Sequence, residues 1–409
     1  MRRRSGRSAR FIAIAVVTAA TAGLAACSSG GSSSGSGGTS NHDPYVIGFT
    51  SDFSSNFGYL GLGLKAGLNS YWDAINKQGG INGHPVKMIA LDDDSQVNRG
   101  VANVTQLVTA DHAIAVAGVM YSVICSAAVP VLTQYKVPEI CGVVTSDLVH
   151  PANPWVYATT TDQGAYAAPQ LTMAEKLVAA EHKSGSQVKL GIVYALGSDA
   201  VVQWANAINS SAKQMGWSVT TETVPEDAVD MSGQLTKMVA AKPTVMVLAA
   251  GNDAWVTAGM KQLANAGEPF PVVSYDVPGW NTVKAVNSSS FYYVSALAYV
   301  PPNPSEPGLA QFAKDAAAAD ANPNASYVLR GYLQAVILGN ALKRCGWPCS
   351  GAQLEAQLNK TNFSTGGLID GNVVLSSANH EPVGSLAAYQ WVASDTAPTV
   401  VQSGLKIGY

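Results

Sequence analysis

Several clusters in this 409-residue chain have the residue types and spacing of reactive or ligand-holding groups. Residues 31–35 read G-S-S-S-G, formally the G-x-S-x-G of a nucleophile elbow, whose chemistry needs a serine strained at a strand-to-helix turn. Here the motif lies inside "SSGGSSSGSGG", with no strand before it and no helix after it, so nothing presents the serine. Gly61, Gly63 and Gly67 form a G-x-G-x-x-x-G. A dinucleotide loop directly follows its strand, whereas ten residues separate Gly61 from the run "YVIGFT", which puts it at or inside a helix; close helix packing is the expected role. Asp92, Asp93 and Asp94 offer hard oxygen ligands to a cation. They lack the spacing and glycine of a calcium loop, and acids at a strand exit read as a solvated turn. The six histidines are scattered, with no H-x-H or H-E-x-x-H, and no nucleophile, base and orienting acid group together. No enzyme activity, cofactor or metal is expected.

The elements that would position functional side chains follow a pattern that repeats. "YVIGFT" is an apolar run of strand length, "LKAGLNSYWDAINKQGG" an amphipathic helix stopped by glycines, and "HPVKMIALDDD" a strand closing in acids. Helix and strand alternate on to "VPEICGVVTSD". The same order recurs from "VKLGIVYALGSD" through "PTVMVLAAGND" to "FPVVSYD". Strands separated by helices at this spacing predict parallel sheets with helices on both faces, here in two α/β lobes of matching construction. In such sheets the ligand crevice lies beyond the carboxyl ends of the strands. The candidate contacts are therefore the breaks at residues 51–59, 121–123, 143–146, 197–199, 251–253 and 275–280.

Composition narrows the setting. Residues 1–26 carry four arginines in the first seven positions and, from Phe11 on, sixteen uncharged residues, the layout of a secretory signal too short for a comfortable membrane span. Leu24, Ala25, Ala26 and Cys27 resemble the lipobox of bacterial lipoproteins, in which the cysteine takes a diacylglycerol. The Ser/Gly run after it reads as a flexible tether over residues 27–44. Only 12% of the chain is charged, the net charge is −3, and no Lys/Arg cluster follows the leader, so nucleic acid is excluded as a partner. Four further cysteines, Cys125, Cys141, Cys345 and Cys349, are an even number for an oxidising location. Three pairings are possible. The two local ones are favoured, because "CGWPC" places Cys345 and Cys349 across a tight turn, and Cys125 at a helix start could face Cys141 at the end of the next strand. A zinc site would need C-x-x-C knuckles or a nearby histidine, and neither is present.

The stretch "AGLNSYWDAINKQGGINGHPVKMIALDDDSQ", with "GVMYS", "VPEICGVVTSDL", "TTTDQG" and "YQWVASD", resembles substrate-binding lipoproteins of ABC importers. The likeness is to the type I periplasmic-binding fold, in the branch of the Leu/Ile/Val-binding proteins and their amide- and urea-binding relatives, and it covers residues 45–409. It implies two Rossmann-like doubly wound lobes joined by three crossovers, near Thr161, Tyr299 and Gly384. The amino-terminal lobe is then residues 45–161 plus 299–383, and the carboxy-terminal lobe residues 162–298 plus 384–409. Function follows as a monomeric receptor, anchored by Cys27 to the outer face of the membrane. It captures a small polar organic ligand, amino-acid-like or amide-like, and delivers it to a membrane permease. The resemblance puts Ser122 and adjacent N–H groups on a ligand carboxylate, Tyr121 in the pocket wall, Val144 and Thr145 where a further hydroxyl is usual, and Asp276 on an ammonium. Phe57, Tyr59, Asp199, Asn252, Tyr275 and Trp280 complete the candidates. The family's Y-G-x-G is replaced here by "SDAVVQ", and its aromatic after the glycine pair by Gly251 or Asn252. Two other functions compete: a ligand-sensing lipoprotein that transports nothing, and a secreted hydrolase on a doubly wound scaffold.

Overall fold

The computed structural model describes residues 42–408, apart from 56, 226, 227, 229, 250–252, 268, 276–278, 393 and 394. Five strands, β1 (Tyr45–Ser51), β2 (Val86–Asp92), β3 (Ala115–Val119), β4 (Glu139–Cys141) and β5 (Val156–Ala158), form a parallel sheet in the order β2-β1-β3-β4-β5. Between them run the helices α1 (Gly58–Lys77), α2 (Val97–Thr109), α3 (Ser122–Tyr135) and α4 (Ser146–Val149). Both faces of this sheet are covered, as parallel sheets require. Ile47, Phe49, Ala115, Ala117, Ile140 and Tyr157 are buried in one cluster with α1, and Val116, Val119 and Cys141 in another with α2 and α3. Each large apolar side chain so buried stabilises the lobe by about 1.5–3 kcal/mol.

The chain then crosses to a second sheet. After α5 (Ala167–Ala180) come β6 (Lys189–Leu196), α6 (Asp199–Gln214), β7 (Ser218–Pro225), α7 (Ser232–Ala241), β8 (Val245–Ala249), α8 (Asp253–Asn265), β9 (Val272–Tyr275), α9 (Trp280–Val286) and β10 (Phe291–Ser295). It returns to the first sheet through α10 (Pro307–Ala318), α11 (Val328–Cys345) and α12 (Gly351–Leu358), followed by the small pair β11 (Asn362–Ser364) and β12 (Asn372–Val374). A last crossing brings β13 (Ser385–Gln390) and β14 (Thr399–Lys406) to the second sheet, in the order β14-β13-β10-β9-β8-β6-β7. β13 and β14 pair antiparallel; the other strands of this sheet are parallel. Two α/β lobes are what the repeating pattern predicts, and their joining by three crossings is the periplasmic-binding type I architecture that the resemblance implies. No helix among the described residues is long and apolar enough to cross a membrane.

The glycines of α1 have the packing role read from the sequence. A Cβ on Gly63 would stand 2.2 Å from the Ser326 carbonyl oxygen, and one on Gly67 1.9 Å from that of Val328, so α11 lies backbone to backbone against α1. Gly331 completes the contact from the other side, 2.1 Å from the Leu64 carbonyl. α11 also reaches the carboxyl end of the first sheet. Gln334, fully buried, accepts from the Gly118 N–H at 2.9 Å and donates to the Thr159 hydroxyl at 2.7 Å. Cys125 is bonded to Cys141, clamping α3 to β4, and Cys345 to Cys349, closing the turn between α11 and α12. The acidic run is less solvated than its position suggests. Asp92 and Asp94 pair with Arg99, but Asp93 turns inward and is fully buried, accepting from the Thr50 hydroxyl at 3.1 Å and the Ser95 N–H at 3.0 Å.

Candidate functional site

The carboxyl ends of both sheets meet at one cavity. Its first wall comes from the loop into α1 (Phe57, Leu60), the end of β3 with the start of α3 (Met120, Tyr121, Ser122), and the residue after the β4 exit (Val143). The opposite wall comes from the start of α6 (Ser198, Val201) and the end of β9 (Tyr275). Gln163 enters from the first crossover and Tyr327 from the turn before α11. Ser122 is the first residue of a 14-residue helix, where backbone N–H groups lack intrahelical acceptors and the dipole favours an anion. Among the described residues, everything facing it is apolar or aromatic except Gln163 and Ser198. Tyr275 is held from behind, its ring centroid 5.4 Å from that of Tyr166 and 5.9 Å from that of Trp204, and Trp204 donates to Gln170 at 2.5 Å.

Tyr327 has a left-handed backbone, φ +66°, an uncommon conformation for a bulky residue that persists when its surroundings over-determine it. Its ring lies 4.9 Å from the guanidinium carbon of Arg330. That buried guanidinium donates through Nη1 to the Gly142 carbonyl at 3.1 Å and the Thr160 hydroxyl at 3.0 Å. One cation therefore ties together the Val143 wall, the first crossover and Tyr327. The lobes also touch directly. The Ser146 N–H donates to Gln203 at 3.1 Å, and the Asp253 carboxylate accepts from the Ser326 hydroxyl at 2.7 Å while the Gly279 N–H, in its own lobe, holds its other oxygen at 3.2 Å. Burial pushes the Asp253 carboxyl up, and burial beside Asp253 pushes the Tyr59 hydroxyl well above its usual range.

Of the residues singled out in the sequence, the cavity gathers Phe57, Tyr121, Ser122 and Tyr275. Val144 is not among its lining: it is fully buried in the α2/α3 core, and its neighbour Val143 faces the cavity instead. Thr145 is buried at the start of α4, Tyr59 sits at the Asp253 contact, and Asp199 is exposed on the first turn of α6. Trp280 belongs to an aromatic cluster, with ring centroids 4.9 Å from Tyr293 and from Tyr389. Asn252, Asp276 and Cys27 lie outside the described residues. Leu60, Met120, Gln163, Val201 and Tyr327 were not singled out. Gln163 falls inside the quoted "TTTDQG", but no periodic or motif signal marks Tyr327.

A cavity between two doubly wound lobes, lined from the carboxyl ends of both sheets, defines a class of receptor that takes a ligand between its lobes. The chain belongs to the periplasmic binding protein family, whose model matches residues 44–397. Members of this family are extracytoplasmic solute-binding receptors rather than enzymes. No curated protein matches the sequence. Solved structures of the same fold include a branched-chain amino acid ABC transporter protein from Thermus thermophilus with bound valine, at 14% identity, 89% of this chain, 97% of that chain and a TM-score of 0.77. Others are a solute-binding protein from R. palustris in complex with benzoate (18%, 89%, 97%, 0.73) and a fatty acid ABC transporter substrate-binding protein from Thermomonospora curvata (17%, 89%, 92%, 0.73). At these identities the likeness is one of fold.

Proposed function

We propose that this chain is a lipid-anchored receptor that captures a small organic acid with an apolar body and hands it to the permease of an ABC-type importer. The observation that carries the reading is the polarity of the cavity: Ser122 at the start of α3 on one side, and Phe57, Met120, Tyr121, Val201, Tyr275 and Tyr327 around it. Such a lining suits a carboxylate at the helix start and an apolar remainder against the aromatic rings. It is more apolar than a polar, amide-like ligand would need. Valine, benzoate and a fatty acid, the ligands named for the three structural relatives, share that chemistry. Asp276, two positions beyond Ser274 at the β9 exit, is proposed to hold an ammonium when the acid is an amino acid.

Native mass spectrometry of gently purified protein should show a bound acid, and calorimetry then tests the residues. A hydrogen bond to a charged group contributes about 1.5–3 kcal/mol, so Ser122→Ala should weaken binding on the order of ten- to a hundredfold. Asp276→Ala should have a similar effect on an amino acid and little on a plain carboxylic acid. Unchanged affinity in a folded Ser122→Ala variant would remove the carboxylate from the α3 start.

A further inference from the structure

Away from the cavity, three residues distant in sequence converge where the crossovers run side by side. Asp162 is on the first crossover, Glu381 on the third, and His150 on the loop after α4 in the first lobe. Both carboxylates are buried, Asp162 at 0% and Glu381 at 3% exposure. Each uses one oxygen to hold backbone or hydroxyl groups: Glu381 Oε1 accepts from the Thr161 hydroxyl at 2.7 Å and the Asp162 N–H at 2.5 Å, and Asp162 Oδ1 from the Ala165 N–H at 3.1 Å. The other oxygen of each is thereby aimed at the same imidazole nitrogen. His150 Nε2 is 2.6 Å from Glu381 Oε2 and 3.8 Å from Asp162 Oδ2. One ligand atom from each of the three residues lies within 4.8 Å of the others.

From this geometry we infer that the crossover cluster is a zinc site, with His150 Nε2, Asp162 Oδ2 and Glu381 Oε2 as its protein ligands. Ligand atoms on a tetrahedral zinc with bonds of about 2.0–2.1 Å stand about 3.3 Å apart. The two distances to Nε2 bracket that value, so a small side-chain adjustment admits the ion. One imidazole and two carboxylates suit zinc better than calcium or magnesium, which take all-oxygen sites. The contacts to Thr161, Asp162 N–H and Ala165 are the outer shell that fixes ligand orientation. His150 and Glu381 also border a cavity with Asn379, Ser385 and Lys406, which gives the ion an entry path and a water the fourth position. Bound zinc joins the first lobe to two crossovers. Ligand positions at 150, 162 and 381 form no spacing motif, which hides the site from a reading of the sequence.

Calorimetry with zinc chloride on the purified full-length chain tests this without knowledge of the cleft ligand. One site per chain is expected. His150→Ala, on a partly exposed loop, should weaken it at least about tenfold, while His84→Ala leaves it unchanged. X-ray absorption at the zinc edge of the unmodified protein should show nitrogen and oxygen ligands with no sulfur, which keeps the test open if a variant misfolds. Absence of stoichiometric binding would overturn the inference. So would unchanged affinity in His150→Ala with loss in His84→Ala, which would place the ion at the His42–His84 pair, whose rings are 4.9 Å apart.

Discussion

At the scale of single residues, two positions show what a linear reading can and cannot reach. Val143 and Val144 are neighbours at a strand exit, and successive side chains there point to opposite sides, so choosing between them needs the register of the sheet. Ser122 was legible because a polar residue at the junction of a buried strand and a helix has a physical reason to be there. Asp93 was read as one of three solvated acids, yet its side chain is buried, and burial with the nearby charges of Asp52 and Asp92 pushes its carboxyl up to about 6, against hydrogen bonds from Ser95 and Thr50. The sign of the consequence follows from proton binding. Between the ordinary value of 3.8 and about 6 the folded chain keeps a proton that the unfolded chain releases. Stability contributed by the protonated form is therefore complete below the lower value and is lost as pH rises through the upper one. Asp93→Asn removes this loss. Urea midpoints at pH 4, 5, 6 and 7 should show the variant gaining on the parent chain across pH 4–6 and holding that gain above it. Parallel curves for the two proteins would place the proton elsewhere.

At the scale of elements, strand and helix order was readable because each element carries its own period and its own stop: α1 ends before Gly79 and Gly80, whose φ values are +98° and +80°. Placement of α11 was not. Its partners, Gly63, Gly67 and Leu64 in α1 and Gly118 and Thr159 near the sheet, lie some 170 to 270 residues earlier, beyond any local pattern. The same distance hides Tyr327, which owes its position in the cavity to α11. Helix propensity and packing make opposite predictions at Gly67. Replacing a mid-helix glycine by alanine stabilises a free helix by about 1 kcal/mol. Here the new methyl would meet the Val328 carbonyl at 1.9 Å and the Tyr332 nitrogen at 2.6 Å, so α1 and α11 must separate. Gly67→Ala should destabilise the chain by about 1–3 kcal/mol or more in denaturant unfolding. Gly233→Ala is the control. A methyl at this second position of α7 meets nothing within 4 Å, and the variant should be neutral or slightly more stable. A stabilised Gly67→Ala protein would show that the two helices do not pack backbone to backbone.

At the scale of the whole molecule, the two lobes explain capture, and the proposed leader and tether would explain where capture is useful. A ligand touching both lobes favours the closed arrangement only by its differential affinity for it, and Tyr275 and Ser122 line the cavity from opposite sides. A released receptor would dilute away from its permease. One confined near the membrane stays at high effective concentration there. Residues 28–44 are rich in serine and glycine, the composition of a linker that would let the folded part reach a membrane partner if the chain is held at Cys27 as proposed. The diacylglycerol proposed at that thiol has two acyl chains, and two chains give stable anchoring where one gives only marginal binding. Cys27→Ser removes the acceptor atom and leaves the sequence of both lobes unchanged. The variant should leave the membrane for the soluble exported fraction with ligand affinity unchanged, and uptake of the ligand by intact cells should fall. Fractionation followed by a detergent-free wash measures the first effect and calorimetry the second. If the variant stays with the membrane after washing, anchoring does not run through Cys27; if it is released but uptake is unaffected, confinement near the permease is not what the tether provides.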